Sequence, residues 1–275
     1  MHTKIICIYC ICDDFLSAFG LIDDKQCRMT SAEILTVAIV SALFFNGNFA
    51  RTRLILKHDK YIPNMLSESR LNRRLHEIDI SIWQSIFHAI SELFHKNNDN
   101  LEYLVDSMPV EVCMNIRSYR CRLLTGKQFI GFCKAKKKFY YGFKIHMITT
   151  GDGKPVEFII TPASIADITA FRIMEIDLPQ GSVIYGDKAY TQYSLEDDLQ
   201  EFEKIKLIAD RKANATRQHS GYVQYLQSIL RKRIETTFSQ LTSMFPRKIH
   251  AVTKEGFLLK LVIFIISFSI EQACR

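Results

Sequence analysis

The stretch whose reading decides the fold is Tyr140-Tyr141-Gly142-Phe143-Lys144-Ile145-His146-Met147-Ile148-Thr149-Thr150-Gly151-Asp152-Gly153-Lys154-Pro155-Val156-Glu157-Phe158-Ile159-Ile160-Thr161. Residues 140–149 alternate, with Tyr141, Phe143, Ile145 and Met147 on one side, as a half-buried strand does. Gly151-Asp152-Gly153 is a hairpin turn, and residues 156–161 are the returning strand. Working outward, residues 101–105 form an earlier strand. Residues 163–176 read as a helix, 182–185 as a strand, 191–203 as a helix and 205–209 as a last short strand. A long helix follows over 222–245, with Tyr222, Leu226, Leu230, Ile234, Phe238, Leu241 and Phe245 three or four apart. Three successive strands followed by alternating helices and strands predict an α/β fold, a mixed sheet flanked by helices.

The first hundred residues read as helical. Thr30 and Glu33 match a capping box ahead of an apolar run, Ile34 to Phe45, which Asn46-Gly47-Asn48 ends. Ser67 opens a helix carrying Arg70, Arg73 and Arg74, with Leu71 and Leu75 as its core stripe. Asp79 caps another over 80–95, with Ile82, Ile86, Ile90 and Phe94 on one face. Such helices suit a DNA-binding helix-turn-helix or an ordinary bundle equally well. The polar run Asn97-Asn98-Asp99-Asn100 places a boundary, giving a helical region over 1–98 and a sheet domain over 99–275.

The 275 residues are 48% hydrophobic and 24% charged, which excludes a disordered chain. The formal charge of +7 favours a polyanionic partner. Residues 115–144 carry Arg117, Arg120, Arg122, Lys127, Lys134, Lys136, Lys137, Lys138 and Lys144 and no acid, interleaved with aromatics. That pattern is a nucleic-acid surface or a solvated basic loop. The N-terminus lacks the basic start and apolar core of a secretory signal, so the eight cysteines are expected as free thiols in a cytoplasmic protein. Cys7, Cys10 and Cys12 are poorly spaced for a closed zinc site. The apolar run over 257–270 falls short of the roughly 20 residues that span a bilayer, and Lys260 interrupts it. A core helix beneath the sheet domain, and no membrane, is the expectation.

Three acids stand apart. Asp106 and Asp187 each end an apolar, β-branched run, and Glu235 sits on the flank of the long helix's stripe. A carboxylate at a buried strand end is costly unless paired or holding a cation. Two divalent ions held by such oxygens are the means of in-line phosphodiester cleavage. Each acid also has a plainer reading: Asp106 capping a turn, Asp187 capping a helix, and Glu235 paired with Arg231 four residues back. The gaps of 81 and 48 residues fit a hairpin plus crossover and then a helix, strand and half-helix, wiring that brings all three to one sheet edge. Arg231 either orients Glu235 or binds a phosphate. Asp167 reads as a helix cap or a support to the site from outside, and His146 as a surface or DNA-facing residue.

The blocks Val105-Asp106-Ser107-Met108-Pro109-Val110, Tyr140-Tyr141-Gly142-Phe143-Lys144-Ile145-His146, Gly186-Asp187-Lys188-Ala189-Tyr190 and Arg231-Lys232-Arg233-Ile234-Glu235-Thr236-Thr237-Phe238, in this order, resemble a bacterial insertion-sequence transposase of the DDE class. The nearest resemblance is to the family of insertion sequence nine-eighty-two. It implies a ribonuclease-H-like catalytic domain, with Asp106, Asp187 and Glu235 holding two Mg2+ or Mn2+ ions. It further implies cleavage at element ends and strand transfer into target DNA, by a homo-oligomer associated with the nucleoid. Element-end DNA then meets Arg70, Arg73 and Arg74 of the basic helix, Lys134, Lys136, Lys137, Lys138 and Lys144, and Arg231. Ala189 stands where a Gly is common, and Thr242 where related elements carry a Lys; either Lys248 substitutes for that Lys or the contact is absent. The rival readings are a same-fold nuclease that does not join ends, and a DNA-binding or decayed copy without catalysis.

Overall fold

The structure is a computed structural model and describes residues 1–134 and 136–274. The chain divides into two compact units: residues 1–88 together with the chain from Leu241 onward, and Ala89–Gln240.

The first unit is helical. It comprises α1 (His2–Ala18), α2 (Ser31–Phe45), α3 (Phe49–His58), α4 (Glu68–Glu77), the first half of α5 (Ile80–Lys96) and α9 (Lys254–Ala273). The capping box is present: Glu33 N–H donates to Thr30 Oγ1, and Thr30 N–H donates to the Glu33 carboxylate. Asn46, in the left-handed region at φ 50, ends α2. Nearly every residue of α2 from Ala32 to Ala42 is buried, because α1 and α9 both pack on it. The helix α9 is long and apolar enough to cross a membrane, but two-thirds of its apolar window is buried inside the protein. It was expected in the core of the sheet domain; it groups with α2 in the helical unit instead. The division expected at 98/99 likewise differs from that of the compact units, which falls within α5.

The second unit is a mixed six-stranded sheet. The strands are β1 (Glu102–Met114), β2 (Ile130–Cys133), β3 (Lys138–Thr150), β4 (Pro155–Pro162), β5 (Val183–Gly186) and β6 (Lys206–Ala209). Their order is β2-β3-β1-β5-β6, with β4 also on β3. β1, β3 and β4 are antiparallel, whereas β5 and β6 run parallel to β1. Short helices α6 (Asp167–Ile173) and α7 (Tyr193–Asp198) link the parallel strands, and α8 (Gly221–Met244) follows. This is the mixed, helix-flanked α/β sheet read from the sequence.

Two details differ from the sequence reading. β1 does not stop at Val105 but runs on through Pro109 to Met114. β5 pairs with β1 only over Glu102–Val105, so Pro109 lies beyond that ladder and its missing N–H costs the ladder nothing. β3 is buried on both faces, not one, and His146 within it is fully buried, not DNA-facing. A strand covered on both faces of its sheet loses the period-two burial that an exposed face would show.

Candidate active site

Register sets the site. Val105 of β1 is paired with Gly186 of β5, and Gly186 with Ala209 of β6. Asp106, Asp187 and Asp210 therefore follow one another across three neighbouring parallel strands, each strand roughly 4.8 Å from the next. Asp210 continues the pairing, its N–H donating to Gly186 O at 3.0 Å. All three aspartates line one cleft, together with Gln227, Arg231 and Ile234 of α8. Gly186 is the residue that fits between them: a Cβ there would lie 3.0 Å from Val105 Cγ1 and 3.1 Å from Tyr190 Cδ2.

The two expected aspartates are held alike. Asp106 Oδ1 accepts from Ser107 N–H, and Asp187 Oδ1 accepts from Ala189 N–H, both at 2.7 Å. Asp187 thus caps the turn Lys188–Tyr190 while lining the cleft. Burial pushes the Asp106 carboxyl up to about 6 against the Ser107 hydrogen bond; the charge of Asp187 adds to the rise and Arg231 opposes it. A carboxyl in this state gains most from a cation.

Glu235 stands apart from the pair. It is one helical turn beyond Arg231, with its side chain 58% exposed, and Arg231 Nε lies 3.3 Å from its Oε1. Arg231 Nη1 lies 3.8 Å from Asp210 Oδ2. The guanidinium therefore bridges the cleft and Glu235.

The expected DNA contacts fall into two sets. Lys134, Lys136, Lys137 and Lys138 are exposed at the β2–β3 hairpin, beside the exposed rings of Phe132 and Phe139, whose centroids are 5.0 Å apart. Lys138 pairs there with Glu111 at 2.9 Å. Lys144 is turned inward, donating to Ile165 O and Asp167 Oδ1 at 2.7 and 2.9 Å. In the helical unit Arg70 and Arg73 are exposed, while Arg74 is paired with Asp23 and Glu77.

Three residues of the second unit went unnoticed in the sequence. Asp210 ends an apolar run just as Asp106 and Asp187 do, so its signal was present. Gln227 carried none, because a glutamine in a polar-looking turn reads as surface; it is 4% exposed. Arg211 makes a two-pronged, buried pair with Glu196 of α7, tying that helix to the end of β6. Asp167, expected as a cap or outer support, makes no side-chain cap bond. It takes Ser107, Lys144 and the neighbourhood of His146 instead.

Residues 96–250, more than half of the chain, match the family model of the transposase DDE domain. The chain belongs to the DDE transposase family. No curated protein and no solved structure shows a match to it. The matched span contains Asp106, Asp187, Asp210, Arg231 and Glu235, hence the whole cleft. DDE transposase domains generally use divalent metals, and DNA is the partner such a domain implies. The donors here suit that chemistry, for they are carboxylates and an amide oxygen, the hard ligands that Mg2+ and Mn2+ prefer.

Proposed function

We propose that this DDE transposase cuts DNA at the ends of an insertion sequence, of the nine-eighty-two kind, and joins the freed ends to target DNA. The observation that carries the reading is the pairing of Val105 with Gly186, which sets Asp106 and Asp187 side by side at the mouth of one cleft within a matched DDE domain. The strand order, three antiparallel and two parallel, supports a ribonuclease-H-like catalytic domain.

In this reading Asp106, Asp187 and Glu235 hold two Mg2+ or Mn2+ ions. When bound, the ions supply charge to the attacking and leaving oxygens of an in-line displacement. The two aspartates are pre-oriented by backbone N–H groups, so little rearrangement is needed to present their free oxygens. Glu235 joins them by leaving its pair with Arg231, one rotamer change on an exposed helix face. Arg231, released from the glutamate, offers its planar fork to a non-bridging phosphate oxygen. Water attacks phosphorus and a 3′-oxygen leaves, taking a proton as the 3′-hydroxyl. That hydroxyl then attacks a target phosphodiester, forming one P–O bond as another breaks. Lys134, Lys136, Lys137 and Lys138 track the backbone, Arg70, Arg73 and Arg74 of α4 contribute to recognition of the terminal repeat, and the chain works as a homo-oligomer in the cytoplasm on nucleoid DNA. Lys144 takes part indirectly, through Asp167.

The test uses duplexes taken from the flanks of the protein's own coding sequence, incubated with the chain and Mn2+. Nicking that exposes a 3′-hydroxyl, followed by joined products, is the expected result. Asp106→Asn should lose both while still retarding DNA in a gel; nicking that survives this change overturns the assignment. Nicks without joined products would make the chain a nuclease only.

A further inference from the structure

The row of aspartates at the sheet edge is longer than the DDE reading needs. Asp210 follows Ala209 just as Asp187 follows Gly186, and it lines the same cleft. Beside it Gln227 enters from α8. Its Nε2 donates to Ile208 O at 3.0 Å, which fixes the amide's orientation and turns Oε1 the other way. That Oε1 is buried and has no hydrogen-bond partner among the described residues. A buried carbonyl oxygen left without a partner costs about 1–3 kcal/mol. Arg231 is the cation in the cleft lining, and it reaches Asp210 only at 3.8 Å while bonding Glu235 more closely.

We propose that the Asp210 carboxylate and the Gln227 amide oxygen are cation-holding groups, extending the Asp106–Asp187 pair into an all-oxygen site for a divalent ion. The proposal rests on the reading of that pair as metal-holding. Four residues with oxygen donors line the one cleft, two of them beyond what a pair of strand-end aspartates requires. A hard dication with several such ligands satisfies the orphaned amide oxygen and neutralises the row at once. Arg231 then competes with the ion for Asp210, so metal entry and release of the guanidinium are one event.

The experiment measures Mn2+ binding to the full chain without DNA, by calorimetry and by the loss of the free-ion electron paramagnetic resonance signal. The variants are Asp106→Asn, Asp210→Asn and Gln227→Met, each with a melting curve in chelator. Asp210→Asn keeps size and shape at a partly exposed position. Gln227→Met removes an oxygen without changing charge, so long-range electrostatics does not explain a loss. Both should weaken Mn2+ binding by roughly tenfold or more. If Asp210 serves only to pair with Arg231, Asp210→Asn leaves Mn2+ affinity unchanged or raises it, and the proposal falls. It falls equally if folded Gln227→Met binds Mn2+ as the parent does. Asp106→Asn separates the two claims: weakened binding there with unchanged Asp210→Asn overturns this inference alone, whereas a parent chain that binds no Mn2+ overturns the reading beneath it.

Discussion

Ser107 Oγ donates to Asp167 Oδ1 at 2.8 Å, joining the residue just after Asp106 to the first turn of α6. The same carboxylate oxygen takes Lys144 Nζ at 2.9 Å and lies 3.7 Å from His146 Nδ1. Burial opposes ionisation of Asp167, yet the Lys144 hydrogen bond and charge, with Ser107, hold its carboxyl below the usual range. The block Tyr-Gly-Phe-Lys-Ile-His of β3 is thus the rear support of the catalytic strand. Asp167→Asn should keep the chain folded but lower DNA nicking by roughly tenfold, an order-of-magnitude figure for loss of an outer support. The readout is the pH profile of nicking alongside its rate, since a purely structural loss would scale the profile without moving it.

His146 is fully buried, and burial, helped by Lys144, depresses its imidazole to about 4 despite the nearby Asp167. The folded protein therefore holds the ring neutral, while the unfolded chain binds a proton below its ordinary 6.5. The unfolded state binds more protons between about 4 and 6.5, so this contribution to stability rises with pH across that window and is lost as pH falls through it. The total is on the order of 3 kcal/mol. Half-buried Glu157, its carboxyl pushed up to about 7 by desolvation, works in the opposite sense, so the comparison must be with His146→Gln. The stability difference between parent and variant, from urea melts, should grow from pH 4 to 6.5 and then level; a flat difference refutes the assignment.

Arg231 links the cleft to Glu235. Arg231→Gln should strengthen Mn2+ binding at least about fivefold, the equivalent of the ~1 kcal/mol that two charges exchange across 4 Å of water. The same change removes a phosphate fork and should slow nicking. Calorimetry and a nicking assay on one preparation check both signs; weaker Mn2+ binding would show that the guanidinium does not compete.

The β2–β3 hairpin offers a separate handle on DNA. Lys138 already has Glu111, whereas Lys134, Lys136 and Lys137 are exposed and make no ion pair among the described residues. Changing these three to Ala should reduce the slope of log K against log salt by up to about three units, at roughly 0.9 per phosphate contact. Gel-shift titrations between about 50 and 200 mM salt measure it. An unchanged slope would mean that the hairpin points away from the phosphates.

Gly142 explains itself only in three dimensions. A Cβ there would sit 2.2 Å from Val110 O and 2.9 Å from Val112 N, both backbone atoms of β1, where the register shifts between Glu111 and Cys113. Neither can yield like a flexible side chain. Gly142→Ala should destabilise by about 1–3 kcal/mol or more, seen as a lowered melting temperature; a neutral result would mean that the strands are farther apart than described.

Much of the architecture was legible because it is local. The capping box at Thr30 and Glu33, the αL stop at Asn46, the hairpin at Gly151-Asp152-Gly153 and the long helix after β6 each rest on interactions within a few residues. Asp106 and Asp187 were legible as acids that end apolar runs. What escaped is what depends on neighbours. Periodicity cannot tell that β3 is covered on both faces, so His146 and Lys144 read as exposed. It cannot tell that Pro109 meets a free edge, so β1 was expected only as far as Val105.

The residue order alone determined the kinds of element, their succession and the acids available for metal chemistry, because hydrophobic period and turn chemistry are properties of short segments. Tertiary structure alone decided which strand ends became neighbours. The Val105–Gly186–Ala209 register puts Asp210 beside the expected pair, since pairing between strands some eighty residues apart is set by packing and ladder hydrogen bonds that no local window contains.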